Sequence, residues 1–299
     1  MKLLWNSALG LLIVTGGLLG LTLPFGKLAT ANGVPAMLWA FVISGGAGGV
    51  LLLVLAMRRQ LFALTTHRLR YFAIAAAISY AIPNLLMFSA IPHLGAGYAG
   101  IMFTLSPVIT LVLSILLGVR RPNLLGILGI AVGFVGAVLV ALTRGQAERP
   151  ADLFWVVMGL LIPVSLAAGN IYRTYDWPKD TGPIELAAGS HLAAALMLLA
   201  GIIAMGEGGS FALLPHVPWL VLAQIASASM MFAVFFRLQA VGGPVYLSQI
   251  GYVAAAVGLA SGVLFLGEHY QLLTWIGAAI TVIGVAMTTR AQQSSNRRA

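Results

Sequence analysis

Residues 10–20 read GLLIVTGGLLG, and residues 159–169 read GLLIPVSLAAG. The second phrase repeats the first at an offset of 149 in a chain of 299 residues, close to half its length. Gly10 to Ile13 match Gly159 to Ile162, Gly20 matches Gly169 and Gly33 matches Gly182. One residue of drift, to an offset of 148, then pairs Phe88 with Phe236, Gly95 with Gly243, Gly129 with Gly277 and Gly136 with Gly284. Glycine is abundant, at 35 residues, so any single match is weak; matches that stay in register from one end of each half to the other make the halves copies.

The phrases themselves are almost wholly apolar, and so is most of the chain. Of its residues 60% are hydrophobic and 8% charged, with a mean hydropathy of +1.00, which is the composition of an integral membrane protein. Runs of about 20 apolar residues, the length that crosses roughly 30 Å of hydrocarbon as a helix, lie between charges and Pro/Gly punctuation. Ten spans are expected, at roughly 4–26, 33–57, 71–91, 95–118, 122–143, 153–175, 183–205, 217–239, 244–266 and 271–289. The short alternating segments of a membrane barrel are not seen. The fold class is therefore all-α integral membrane. Ala29-Thr30-Ala31 resembles a signal-cleavage site, but the run before it has the length of a span rather than a signal core. The first helix is expected to be retained.

Each copy then holds five spans, in 1–146 and 147–291, with a tail at 292–299. An odd number of spans makes the second copy start on the opposite side, so the repeats are inverted, as in secondary transporters with a site near the bilayer midplane. The charges agree with this. With the N-terminus in the cytoplasm, thirteen cations fall on inner segments, Arg173 and Lys179 among them, against Lys27, Arg144 and Arg149 outside. That asymmetry puts both termini inside and accounts for the net charge of +9 without a nucleic-acid partner. The absence of cysteine excludes disulfide and thiol chemistry.

Leu264 to Met287, a helix ending in Leu-Gly-Glu and then a Gly-rich final helix, resembles the end of the second repeat in the drug/metabolite transporter superfamily. Ser106-Pro107-Val108 and Pro24-Phe25-Gly26-Lys27 resemble its fourth-span and first-span markers. Val119-Arg120 stands where the first repeat would carry Gly-Glu, and Ala255 where the second would carry Pro. The resemblance covers nearly the whole chain. It implies a multi-pass carrier of the bacterial inner membrane that exports aromatic or other neutral amino acids, and cationic drugs, by alternating access. Carriage of sugars, or a passive channel, is the alternative.

Buried polar and deep aromatic side chains are the candidates for binding. Trp39 lies in the second span, Tyr80 and Asn84 share a face of the third, and Tyr98 with Met102 one turn on lies in the fourth. The second half offers Asn170, His191, Gln224, Ser248, Gln249 and Tyr252. Amides are expensive in lipid and are expected to face the bundle. Tyr and Trp rings can stack on a planar substrate or face a cation. Trp5, Trp155, Trp177, Trp219 and Trp275 fit the interfacial belt instead, and glycines four apart, at 16/20, 45/49, 129/133 and 258/262, fit close helix packing.

All seven acids, from Glu148 to Glu268, fall at span ends or in loops, which weighs against an acid-based ion-coupling site. Glu268 is expected to face the N-terminus of the last helix, and Lys27 to snorkel to the outer interface. Nucleophile motifs and helical metal-ligand spacing are not seen, so the reading calls for no enzyme activity, cofactor or metal. Its partners are a small-molecule substrate and the lipid bilayer, and a monomer suffices.

Overall fold

The computed structural model describes residues 7–60, 63–117, 124–143, 145 and 150–296, without the side chains of residues 8, 114, 242–246, 248, 285, 288, 289 and 292–296. Trp5, Val119, Arg120, Arg144, Glu148, Arg149, the end of the tail and the side chain of Ser248 thus lie outside the described residues. The described chain is helical, in the order α1 (Ala8–Ala31), α2 (Ala36–Met57), α3 (Thr66–Ala76), a π turn (Ala77–Ala81), α4 (Ile82–Leu94), α5 (Ala96–Phe103), α6 (Ser106–Leu116), α7 (Leu124–Thr143), α8 (Leu153–Tyr175), α9 (Pro183–Ala204), a 3-10 segment (Glu207–His216), α10 (Pro218–Ser248), α11 (Ile250–Phe265) and α12 (Leu272–Asn296). Among the described residues, one bridge joins Gly145 to Pro150.

Helices dominate because hydrocarbon offers the backbone no other partner. Helices α3 and α4 with the π turn make one apolar rod, Thr66–Leu94, and α5 with most of α6 makes another, Ala96–Leu113. Eight such rods are long and apolar enough to cross a membrane, while α11 and Leu272–Gly284 of α12 are shorter apolar helices. Their outward faces carry exposed Phe134, Leu142, Leu196, Ile203 and Ile283, as a surface against lipid requires.

Three local departures from the sequence pattern matter. Helix α1 runs past Pro24 to Ala31, because a proline within a membrane helix frees one carbonyl while uncoiling would free many groups. Span four breaks after Phe103, where the N–H groups of Thr104 and Leu105 turn back to Ile101 and Met102 at 3.0 and 3.1 Å, with Pro107 in the first turn of α6. The helix through 240 does not end at Gly242, Gly243 or Pro244 but continues to Ser248.

Packing between the halves is reciprocal. A Cβ on Gly136 in α7 would run into Thr281 and Gly277 in α12, and one on Gly284 in α12 would run into Gly133 and Gly129 in α7. Gly136 and Gly129 are the repeat partners of Gly284 and Gly277, so each contact is the image of the other. Phe103 and Gly251 are also repeat partners, and a Cβ on Gly251 would sit 2.6 Å from the Phe103 carbonyl oxygen. Equivalent residues that meet each other mark a two-fold relation. The glycine pairs divide in their roles: Gly16 and Gly20 admit α11, with Val253 and Val257 against them, while Gly49 faces open space.

Candidate substrate cavity

A cavity opens between the halves, with about 670 Å³ of empty space including its mouth. The π turn and α4 supply Ser79, Tyr80, Pro83, Asn84 and Met87, α8 supplies Leu166, Asn170 and Arg173, and α10 supplies Met231, Phe232, Phe235 and Leu247. Leu19 and the two span breaks, at Phe103/Ser106 and Ile250/Gly251, complete the wall. A π turn carries one extra residue and so rotates the helix beyond it; here Ser79 and Tyr80 stand on it. The two breaks place helix ends, rather than continuous helix, at the cavity.

Three of the sequence candidates meet here: Tyr80, Asn84 and Asn170. His191 lies just behind the wall, fully buried, its ring 4.1 Å from Tyr80 and 3.7 Å from Phe232. Gln249 and Tyr252 flank the wall residues Ile250 and Gly251, and the Gln249 Nε2 and Tyr252 hydroxyl find no partner among the described residues. Trp39, Tyr98, Met102 and Gln224 do not join them. The hydroxyl of buried Tyr98 donates to the Val140 carbonyl at 2.9 Å, and Tyr98 and Met102 pack in an apolar cluster with Leu94, Ile101 and Val156. Trp39 and Gln224 are fully buried away from the cavity lining.

The cavity's one charged side chain among the described residues is Arg173, which the pattern above assigns to the inner loop charges. It is 1% exposed. Its Nη2 donates to Asn170 Oδ1 at 2.7 Å and its Nε to Gln239 Oε1 at 3.3 Å. The guanidinium carbon lies 5.0 Å from the Phe235 ring centre and 5.7 Å from that of Tyr80. Among the described residues, the ion pairs are Lys27–Glu268, His67–Asp176 and Arg70–Asp176, so Arg173 has no carboxylate within that reach. Nη1 makes no hydrogen bond with them; a Cβ on Gly169 would lie 3.2 Å from it and would strike Ser79 Oγ, so those two atoms border one spot. Ser79 Oγ and the Tyr80 hydroxyl are buried without partners among the described residues. Two unpartnered hydroxyls thus stand in the same cavity wall as the guanidinium, and none of the described lining residues there is a carboxylate. A signal for Arg173 was available, because it falls inside the 153–175 span, three residues after Asn170 and on the same face.

The two ends of the bundle are tied differently. At one end buried Glu268 accepts from the backbone N–H groups of Ala96 at 2.7 Å and Gly97 at 3.0 Å, the N-terminus of α5, and not of the last helix as the sequence suggests. The reason is the turn after α11: Gly267, at φ +63°, and the Glu268 N–H bonded to the Gly262 carbonyl at 2.9 Å fold the side chain back toward α5. Tyr270 donates to the same carboxylate; burial, and then the nearby carboxylate, pushes its phenol well above the usual range, so it keeps its proton. Lys27 Nζ stands 4.0 Å away. At the other end Asp176, just after α8, accepts from Tyr172 at 2.6 Å and Arg70 at 2.8 Å, with His67 Nε2 at 3.0 Å. Burial alone would raise this carboxyl, but those hydrogen bonds and the Arg70 charge carry it below its ordinary value.

The sequence profile of the EamA-like transporter family matches residues 6–142 and, a second time, residues 153–290. The chain belongs to the EamA-like transporter family. It is a multi-pass membrane transporter built from two copies of the family unit, within the drug/metabolite transporter superfamily. A solved crystal structure matches 93% of this chain and 98% of its own at a TM-score of 0.62 and 19% identity, a likeness of fold. No curated protein matches the sequence.

Proposed function

We propose that this EamA-like transporter is a secondary carrier of small amphipathic metabolites bearing a carboxylate, a class that includes the aromatic and other neutral amino acids. One observation carries the reading: a buried guanidinium faces the cavity between the halves with no carboxylate among the described residues to balance it. A charge taken out of water costs several kcal/mol unless it is paired, and in a membrane protein such a residue marks a substrate path. A carboxylate lying across Nη1, with Ser79 and Tyr80 as further donors, supplies the missing partner. The apolar wall of Leu19, Met231, Phe232 and Phe235 receives the rest of the molecule. The same charge opposes cationic drugs.

Alternating access around this cavity is the proposed mechanism, in a ten-span bundle of two inverted repeats divided near residue 146, with both termini cytoplasmic, in a bacterial inner membrane and running outward. The helix-end contacts support this topology. Lys27, Ala96 and Glu268 share one end and His67 with Asp176 the other, as ten spans with an internal N-terminus require. In this state the Glu268 network holds the outer end shut. Counterflow of labelled L-phenylalanine and L-tryptophan in proteoliposomes at pH 8 tests the proposal. Saturable uptake that drops roughly ten- to a hundredfold in Arg173→Gln is expected, the worth of one charged hydrogen-bonding partner. Equal uptake by both proteins refutes the carboxylate site, and ohmic current without saturation makes the protein a channel.

A further inference from the structure

What accompanies the carboxylate on the substrate can be read from the groups that hold Arg173. All of them are uncharged: the Asn170 and Gln239 side-chain oxygens and the rings of Phe235 and Tyr80. Gln239 is itself oriented, since its Nε2 donates to Thr174 Oγ1 at 3.4 Å. Two amides thus fix the direction of the guanidinium without cancelling its charge. An aspartate or glutamate in either place would form an ion pair with it and leave nothing to attract a ligand.

Among its described lining residues the cavity offers a positive group only neutral partners. None of its lining residues is an acid, and Glu268 and Asp176 are committed at the two ends of the bundle. Two of the four aromatic rings in the described lining, Tyr80 and Phe235, already face the guanidinium, which leaves Phe103 and Phe232, both neutral, as the π faces an ammonium could meet. An ammonium brought in with a carboxylate would be stripped of water beside a like charge.

Resting on the carboxylate reading above, we infer that the preferred substrate is an amphipathic monocarboxylate anion without an ammonium group, and that Asn170 and Gln239 set this charge preference by being neutral. Zwitterionic amino acids are then the weaker ligands of the same site. Both amides are positioning residues, and the test reads charge preference, which a merely structural role would not invert.

Binding of 3-phenylpropionate, L-phenylalanine and 2-phenylethylamine to the purified full chain in detergent at pH 8, measured by calorimetry, compares one ring and chain length in three charge states. The wild type is expected to bind the acid at least tenfold more tightly than phenylalanine and to ignore the amine. Asn170→Asp is expected to remove or reverse that preference, and Gln239→Glu, a second route to the same neutralisation, guards against a variant that does not fold. Phenylalanine bound as tightly as the acid by the wild type, or an acid preference untouched in a folded Asn170→Asp or Gln239→Glu, overturns the inference. If phenylalanine is preferred and its binding vanishes in Arg173→Gln, only the inference falls. Failure of the wild type to bind any of the three, or acid binding unchanged in Arg173→Gln, overturns the carboxylate reading and the inference with it.

Discussion

At the scale of single residues, the cavity rests on side chains whose value depends on what surrounds them. Arg173 and Asn170 are one turn apart on α8, yet the arginine's meaning comes from Gln239, Tyr80 and Phe235 on other elements. Arg173→Lys is expected to keep the charge and still lose most binding. An ammonium cannot hold Asn170, Gln239 and a ligand in the fixed directions of a planar guanidinium, and titration of the purified variant with 3-phenylpropionate measures the loss. Asp176 gives a pH prediction. Its folded-state pKa is depressed, so its contribution to stability is present above the unfolded value of about 4 and is lost as pH falls through the folded value. Arg70 is mostly exposed, so the effect is small, under about 1 kcal/mol. Asp176→Asn should lower the melting temperature slightly at pH 7 and narrow its difference from wild type on acidification towards pH 3. A gap that widens on acidification would assign the carboxylate a different role.

At the scale of elements, two ties set what can move. Glu268 caps α5 with its side chain, joining the α11–α12 turn of the second half to a helix of the first. Glu268→Ala leaves two buried N–H groups unpaired, a cost of about 2–4 kcal/mol, visible as a lower melting temperature in detergent. The chain has no cysteine, so Ala96→Cys, at a fully buried position, gives a single reporter. Its labelling by an impermeant maleimide should speed up when Glu268→Ala is added, and unchanged labelling would show that this contact does not close the outer end. The α7–α12 seam is the opposite case, backbone against backbone. Gly284→Ala must push the helices apart and should cost about 1–3 kcal/mol, whereas Gly17→Ala, with nothing within 4 Å of the new Cβ, should be nearly neutral in the same thermal assay.

For the whole molecule, hydropathy and the internal echo were enough to read a bundle of apolar helices in two copies, because the lipid solvent permits little else and the glycines of the α7–α12 seam recur in both halves. The wall of the cavity was only partly legible. Tyr80, Asn84 and Asn170 emerge from the cost of polar groups in a membrane, but the same rule selects Tyr98, Trp39 and Gln224, since nothing in one sequence separates a side chain buried against a neighbouring helix from one that faces a cavity. The π turn carrying Ser79 and Tyr80 has no sequence signature, and Arg173 was obscured by a charge count that places every cation near a span end in a loop. One measurement tests the account most directly: protection of a single cysteine, Asn84→Cys, against a maleimide in the purified protein. Saturating 3-phenylpropionate should slow its modification, 2-phenylethylamine should not, and adding Arg173→Gln should abolish the protection. Protection by the amine, or protection by the acid that survives loss of Arg173, would contradict it.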